Sequence, residues 1–187
     1  KNCALAAREL DGHVFPIDSC SLSTGIGLQI IEAGERIQSG MSAAETAEAM
    51  KGIIPRCHAS FILDTLEFMK AGGRCSSVVA FGANLLSLKP CIEVDNADGS
   101  MHVGKKYRGK IEAAYVQYIK DRLAGRDDID TRRVFITDSG LPDDVRAPLR
   151  EVVLPCPPFE EVYNNRAGCT ISGHCGPWCM GVLYYHK

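Results

Sequence analysis

Apolar positions in this chain change their spacing near residue 55. Before that point Ile26, Ile30, Ala33 and Ile37 recur at helical intervals, which predicts a helix with one apolar stripe, ended by Gly40. Ahead of it, His13–Ile17 is a short apolar run that reads as a buried strand, although Pro16 weakens any pairing there. Asp18–Gly25 between them is a polar turn. Lys1–Leu10 is an alanine-rich helical stretch stopped at Asp11-Gly12. Ser42, with Glu45 three residues on, is a capping box that opens a further helix to about Lys51. Helix, strand, turn, helix is the rhythm of a parallel α/β unit.

Beyond residue 55 the runs shorten. Ala59–Leu63 predicts a strand, and Leu66–Ala71 a short helix closed by Gly72-Gly73. Val78–Leu86 is apolar and reads as helix. Pro90–Val94 and Met101–Lys106 are strands joined across Asp98-Gly99, a strong hairpin signal. Ile111, Tyr115, Tyr118 and Ile119 share one stripe, which predicts a helix over Ile111–Leu123. Val134–Thr137 is a β-branched strand. Pro142–Val152 is helical through Val145, Leu149 and Val152, with Pro148 expected to kink it. Val162–Ile171 and Met180–Tyr185 close the chain as two strands. The expected fold class is therefore α/β. Residues 1–55 form the remainder of a parallel α/β lobe, and residues 56–187 an α+β lobe with antiparallel strands.

Composition narrows the function. Across 187 residues, 45% are apolar and 24% charged, as in a soluble globular protein. A net charge of −2 gives no electrostatic footprint for nucleic acid. No apolar run reaches the length of a membrane span, so stable membrane insertion is not expected. Nine cysteines cannot all pair within one chain. Cys3, Cys57, Cys75 and Cys91 lie in apolar or small-residue settings, where cysteine acts as a small hydrophobe. Together they point to a reducing, cytoplasmic compartment.

Four stretches hold candidate chemistry. The turn from Asp18 to Gly27 carries Ser19, Ser21, Ser23 and Thr24 into a helix N-terminus, where hydroxyls either cap the helix or help hold an anion. Gly72-Gly73-Arg74 is a helix stop followed by an arginine that glycine can aim. Lys105-Lys106-Tyr107-Arg108-Gly109-Lys110 is either a solvated strand end or a docking patch for an acidic partner. The run Gly173-His174-Cys175-Gly176-Pro177-Trp178-Cys179 tempts two readings. Three residues separate the cysteines, against two in a thioredoxin-like motif. A zinc site from Cys169, His174, Cys175 and Cys179 lacks a paired knuckle. What is left is a turn between strands that presents His174, a side chain able to hydrogen-bond a carboxylate in either charge state. No Ser-His-acid order, phosphate loop or dinucleotide fingerprint stands out.

On these residues the chain resembles the DegV family, bacterial fatty-acid-binding proteins that serve fatty acid kinase. The matching pieces are Asp18-Ser19 with Gly25 and Gly27, and Asp64-Thr65-Leu66-Glu67-Phe68 through Arg74. Then come Leu85–Pro90, Asp98-Gly99, Arg108-Gly109, and His174-Cys175-Gly176-Pro177 with Gly181. The resemblance implies two lobes with a lipid tunnel between them, a long-chain fatty acid as ligand, fatty acid kinase as partner, no cofactor and no catalytic residue of its own. It implies that His174 joins the hydrogen bonds at the ligand's carboxylate, and that Arg74 and Arg108 lie near the tunnel mouth or on the face meeting the kinase. Ser19 and Arg74 are expected near the ligand and Lys106 beside Arg108 at the partner. Ile26, Ile30, Phe61, Phe81, Leu85 and Leu86 are expected along the tunnel wall. The family's N-terminal segment, with a carboxylate-binding Thr and a Ser-Gly-Thr turn, is expected ahead of Lys1. Trp178 stands where the family usually has glycine. The rival function is a thiol-dependent enzyme using Cys175 or Cys179 with His174; a small metal-binding or regulatory module is a second.

Overall fold

The computed structural model of the chain describes residues 2–10, 12–74 and 88–187. Its strands are β1 (Cys57–Ile62), β2 (Leu88–Val94), β3 (Met101–Arg108), β4 (Ile129–Asp138), β5 (Glu161–Arg166) and β6 (Met180–His186). Its helices are α1 (Asn2–Ala7), α2 (Thr24–Gln38), α3 (Ala43–Ile53), α4 (Glu67–Ala71), α5 (Ile111–Leu123), α6 (Asp143–Val153) and α7 (Cys169–Cys175). The strands form one sheet in the order β3-β2-β1-β6-β4-β5.

Side-chain alternation splits this sheet into two apolar faces. Along β6, Met180, Val182 and Tyr184 enter one cluster, while Leu183 and Tyr185 enter the other. The first face is covered by α5 and α6. Ile111, Tyr115, Tyr118 and Ile119 of α5 are all buried there, as their stripe predicts. The second face is covered by α2, α3, α4 and α7, with Leu28, Met50, Met69 and Cys175 packed on Cys57, Ala59 and Phe61. The expected boundary at residue 55 falls in a 3-10 turn, Ile54–Arg56, just before β1.

Local chemistry explains several elements. Ser42 accepts from the Glu45 backbone N–H and Glu45 accepts from the Ser42 N–H, a complete capping box for α3. The β2–β3 hairpin turns at Gly99, whose φ of 76° is the left-handed region that glycine enters freely. α6 runs through Pro148 without ending there.

Four expectations are corrected. Residues 13–17 form no strand; Val14, Phe15 and Ile17 are 44%, 40% and 42% exposed. Of the stripe on α2, Ala33 packs inward, but Ile30 at 65% and Ile37 at 55% are exposed, while Gln29 and Glu32 are buried. The cause is specific bonding. Glu32 pairs with Arg36 and with Arg132 of β4 at 2.6 and 2.7 Å, and Gln29 donates to the Ser19 carbonyl at 2.9 Å. Partnered polar groups can thus be buried in place of an apolar stripe. The run 162–171 is not one strand: β5 stops at Arg166, and Ile171 lies in α7. The strand pairing is also mixed, since β5 runs parallel to β4. The expected helix Val78–Leu86 lies outside the described residues.

Candidate functional site

A narrow slot opens on the second face of the sheet, between its strands, the turn entering α2, and α7. Leu22, Phe61, Ile171 and Leu183 give it apolar walls, with Cys175 and Cys179 along one side. Ser23, Thr137 and Ser139 add hydroxyls. It is narrow: the free room inside it is about 20 Å³, on the scale of a single water, so its walls must part to take anything larger.

Local sequence makes this space. Gly181 lies on the slot wall, and a Cβ there would come within 2.8 Å of the Ser60 carbonyl oxygen. At the far end of β4, Asp138 is buried and its Oδ1 accepts from the backbone N–H groups of Gly140 and Leu141, both at 2.8 Å. Arg146 stands 3.8 Å from its Oδ2. That fixed negative charge disfavours a second carboxylate beside it.

The hydroxyls divide into used and free. Thr24 and Thr137 are 2.6 Å apart through their oxygens, and Thr137 donates to Asn165 Oδ1 at 2.7 Å. The single Thr137 proton goes to Asn165, so Thr24 is the donor of that pair. Ser139 donates to the Gly176 carbonyl at 2.5 Å and accepts from the Cys179 N–H at 3.1 Å. Ser21 Oγ is buried with no partner, and Ser23 makes no side-chain cap bond to α2. Two hydroxyls of the expected turn therefore remain available where it meets the slot.

Phe61 is the expected wall residue that the structure places in the slot. Ile26 is not in the wall: it is 38% exposed on the outward side of α2, because Gly25 is the residue that approaches Ser21 and Ala59. Ser19 sits outside the slot as well. Its hydroxyl donates to the Ser21 carbonyl at 3.3 Å and so shapes the turn. Phe81 and Leu85 lie outside the described residues.

His174 occupies the last turn of α7, not a turn between strands. Its ring packs against Gly72, where any side chain would collide with Nδ1, and that buried nitrogen has no partner. It is not part of the slot wall, but the next residue, Cys175, is. Arg74 is exposed and donates to the Gly72 carbonyl at 2.8 Å. Lys106 and Arg108 lie on the edge strand β3. Met101 and Val103 face the second cluster and Tyr107 the first, with the register shifting between Pro90 and Ile92 of β2. This bulge turns Lys106 and Arg108 to the slot's side of the sheet.

Cys175 and Cys179 are hydrogen-bonded to each other, which lowers the Cys175 pKa, while that bond and burial raise that of Cys179. Among the described residues no group of three or more His, Cys, Asp or Glu is placed to hold a metal. Trp178 has φ 60°, a left-handed value that explains why glycine suits that position. Ser23 was among the candidate hydroxyls of the turn, but Leu22, Thr137, Ser139, Ile171 and Leu183 of the slot were not anticipated as site residues. The turn's hydroxyl crowding was the one usable signal; the others become neighbours only through sheet order.

Comparison with known proteins agrees with this architecture. The model of the DegV family, described as uncharacterised proteins, matches residues 1–187. A DegV domain-containing protein of Deinococcus radiodurans is 27% identical over 183 residues, covering 95% of this chain and 62% of its own length. A DegV family protein from Thermus thermophilus, whose structure is described as showing fatty acid binding, is 30% identical with a TM-score of 0.82. That match covers 98% of this chain and 65% of the Thermus protein. The B3 protein of the Streptococcus pneumoniae fatty acid kinase, solved with linoleic acid, shares the fold at TM-score 0.77 and 18% identity, covering 100% of this chain and 66% of its own. The chain thus spans less than two thirds of the Deinococcus and Thermus relatives.

Proposed function

The chain belongs to the DegV family, and from that premise we propose that it serves to hold one long-chain fatty acid and to hand its carboxylate to a fatty acid kinase. The observation that carries this reading is the apolar slot between α7, the sheet and the turn entering α2. An acyl chain laid along Leu22, Phe61, Ile171 and Leu183 leaves water at about 25 cal/mol per Å² of apolar area. The head group is assigned to the turn entering α2, where Ser21 and Ser23 have hydroxyls to give. We keep His174 as a carboxylate partner at the slot's edge, supported by its buried, unpartnered Nδ1. Lys106 and Arg108, on the slot's side of an edge strand, suit an acidic surface of the kinase. Arg74 is retained as a cation near the mouth.

In this role the protein carries its ligand and performs no chemistry on it. A cytoplasmic place is proposed for it, in keeping with the free thiols among the described residues. Among those residues no helix is long and apolar enough to cross a membrane.

The test is organic extraction of the purified full-length protein followed by mass spectrometry, with uptake of added palmitate measured in parallel. A released fatty acid, or saturable uptake of one chain per protein, is the expected result. Neither release nor uptake would overturn the reading.

A further inference from the structure

Eight cysteines are described and all are free, but their settings differ. Cys57 and Cys91 are fully buried, and burial pushes their thiols up to about 11 and about 12, so they are inert packing groups. Cys175 and Cys179 are each 6% exposed, line the same slot, and share a hydrogen bond. The turn between them is held tightly. Gly176 and Trp178 both adopt left-handed φ values, 74° and 60°. Ser139 brackets it from both ends, donating to the Gly176 carbonyl and accepting from the Cys179 N–H, while the Ser139 N–H donates to the Cys179 carbonyl at 3.0 Å. Phe68 packs on Gly176, leaving no room for a side chain there. A loop so fixed keeps two sulfurs together before any reaction.

We propose that Cys175 and Cys179 are a dithiol modification site in the slot wall, converted to a disulfide by a hydroperoxide, and that the disulfide closes the slot to acyl chains. The second half rests on the fatty-acid reading above; the first does not. Cys175 is the attacking group, since the hydrogen bond from Cys179 favours its thiolate. Its sulfur bonds to one peroxide oxygen, the O–O bond breaks, and the other oxygen leaves with a proton as water or an alcohol. This gives a sulfenic acid at Cys175. Cys179 sulfur then attacks the Cys175 sulfur, the S–O bond breaks, and the hydroxyl leaves as water with the Cys179 proton. Two thiols lose two electrons in total, and one peroxide is reduced. The new bond, about 2.05 Å between sulfurs, ties the end of α7 to the start of β6. A narrow slot admits a chain only if α7 can give way from the sheet, and the bond prevents that. By linkage, a bound chain resists the oxidation to the same degree.

The experiment treats the full-length protein with hydrogen peroxide, alkylates remaining thiols under denaturing conditions, and maps peptides by mass. A disulfide joining 175 to 179 is expected; recovery of both as alkylated thiols, or bonding only through Cys3 and Cys169, overturns the modification site. Palmitate uptake is then measured on reduced, oxidised and re-reduced protein. The expected result is uptake slowed about tenfold on oxidation and restored by reduction. In C175S the ratio of uptake with and without peroxide should stay near one. Equal uptake by oxidised and reduced protein overturns the gating. Failure of the reduced protein to take up any fatty acid counts against the carrier reading and the gating together, while the peptide map decides the disulfide independently.

Discussion

The two faces of the sheet are built from the same strands but solved differently. On the α5–α6 face the large side chains close the space, and three of its four buried tyrosines are hydrogen-bonded, Tyr107 being the exception. Tyr115 donates to the Trp178 carbonyl at 2.7 Å, and Tyr184 to the Arg122 carbonyl at 3.1 Å. Tyr118 donates to the Ser60 carbonyl at 2.8 Å and accepts from the Val182 N–H at 3.0 Å. The face carrying α2 and α7 has small residues in the corresponding layer, namely Ala59, Gly181 and Ala167, and keeps a slot. It also holds the unpartnered atoms Ser21 Oγ and His174 Nδ1. One face is filled by large side chains; the other keeps the slot in which the proposed ligand would lie, with Ser21 Oγ unpartnered beside it.

Substitutions that separate the faces should separate stability from binding. The largest effect is expected from Ala167→Phe, which fills the slot: palmitate affinity should fall about a hundredfold, or about 2.7 kcal/mol, with a thermal midpoint within a few degrees of the parent by calorimetry. Tyr118→Phe should do the reverse. It leaves the Val182 N–H without its partner inside a closed core, so urea denaturation should show a loss of about 2 kcal/mol with palmitate affinity intact.

A third test uses pH. His58 stacks on Tyr184 with ring centroids 4.6 Å apart, and desolvation, aided by nearby Arg122, lowers its pKa to about 3. The unfolded chain therefore binds a proton that the folded chain refuses between about pH 6.5 and 3. Stability is full above that window and declines as pH falls through it. Urea midpoints should correspond to a loss of about 1–2 kcal/mol from pH 7 to 5, and His58→Gln should flatten the slope.

The smallest effects concern the polar ends. His174→Ala should weaken palmitate binding about fivefold, roughly 1 kcal/mol, while leaving a fatty alcohol of equal length bound as before. Arg108→Ala should slow acyl-phosphate formation by the kinase with lipid affinity unaltered; a loss of lipid affinity with normal coupling would reverse that assignment.

This contrast also governs what could be read in advance. The α5 stripe, the Ser42–Glu45 cap and the Asp98-Gly99 hairpin depend on neighbours within a few residues, and the structure has them as expected. The orientation of α2 depends on Arg132, far along the chain, which draws Glu32 inward and leaves Ile30 outside. The slot is harder still. Leu22, Thr137, Ile171 and Leu183 meet because β6 inserts between β1 and β4, a pairing that no local pattern encodes. His174 was legible as a residue of interest through its glycine-rich setting, but its helix was not, since Val162–Ile171 reads as continuous strand.

Where the acyl chain lies can be seen in a crystal structure of the full-length protein with a fatty acid brominated at its far end. Bromine signal is expected within the slot, with the chain in contact with Leu22, Ile171 and Leu183. Bromine lying instead on the outward face of α2, beside Ile26 and Ile30, would contradict it.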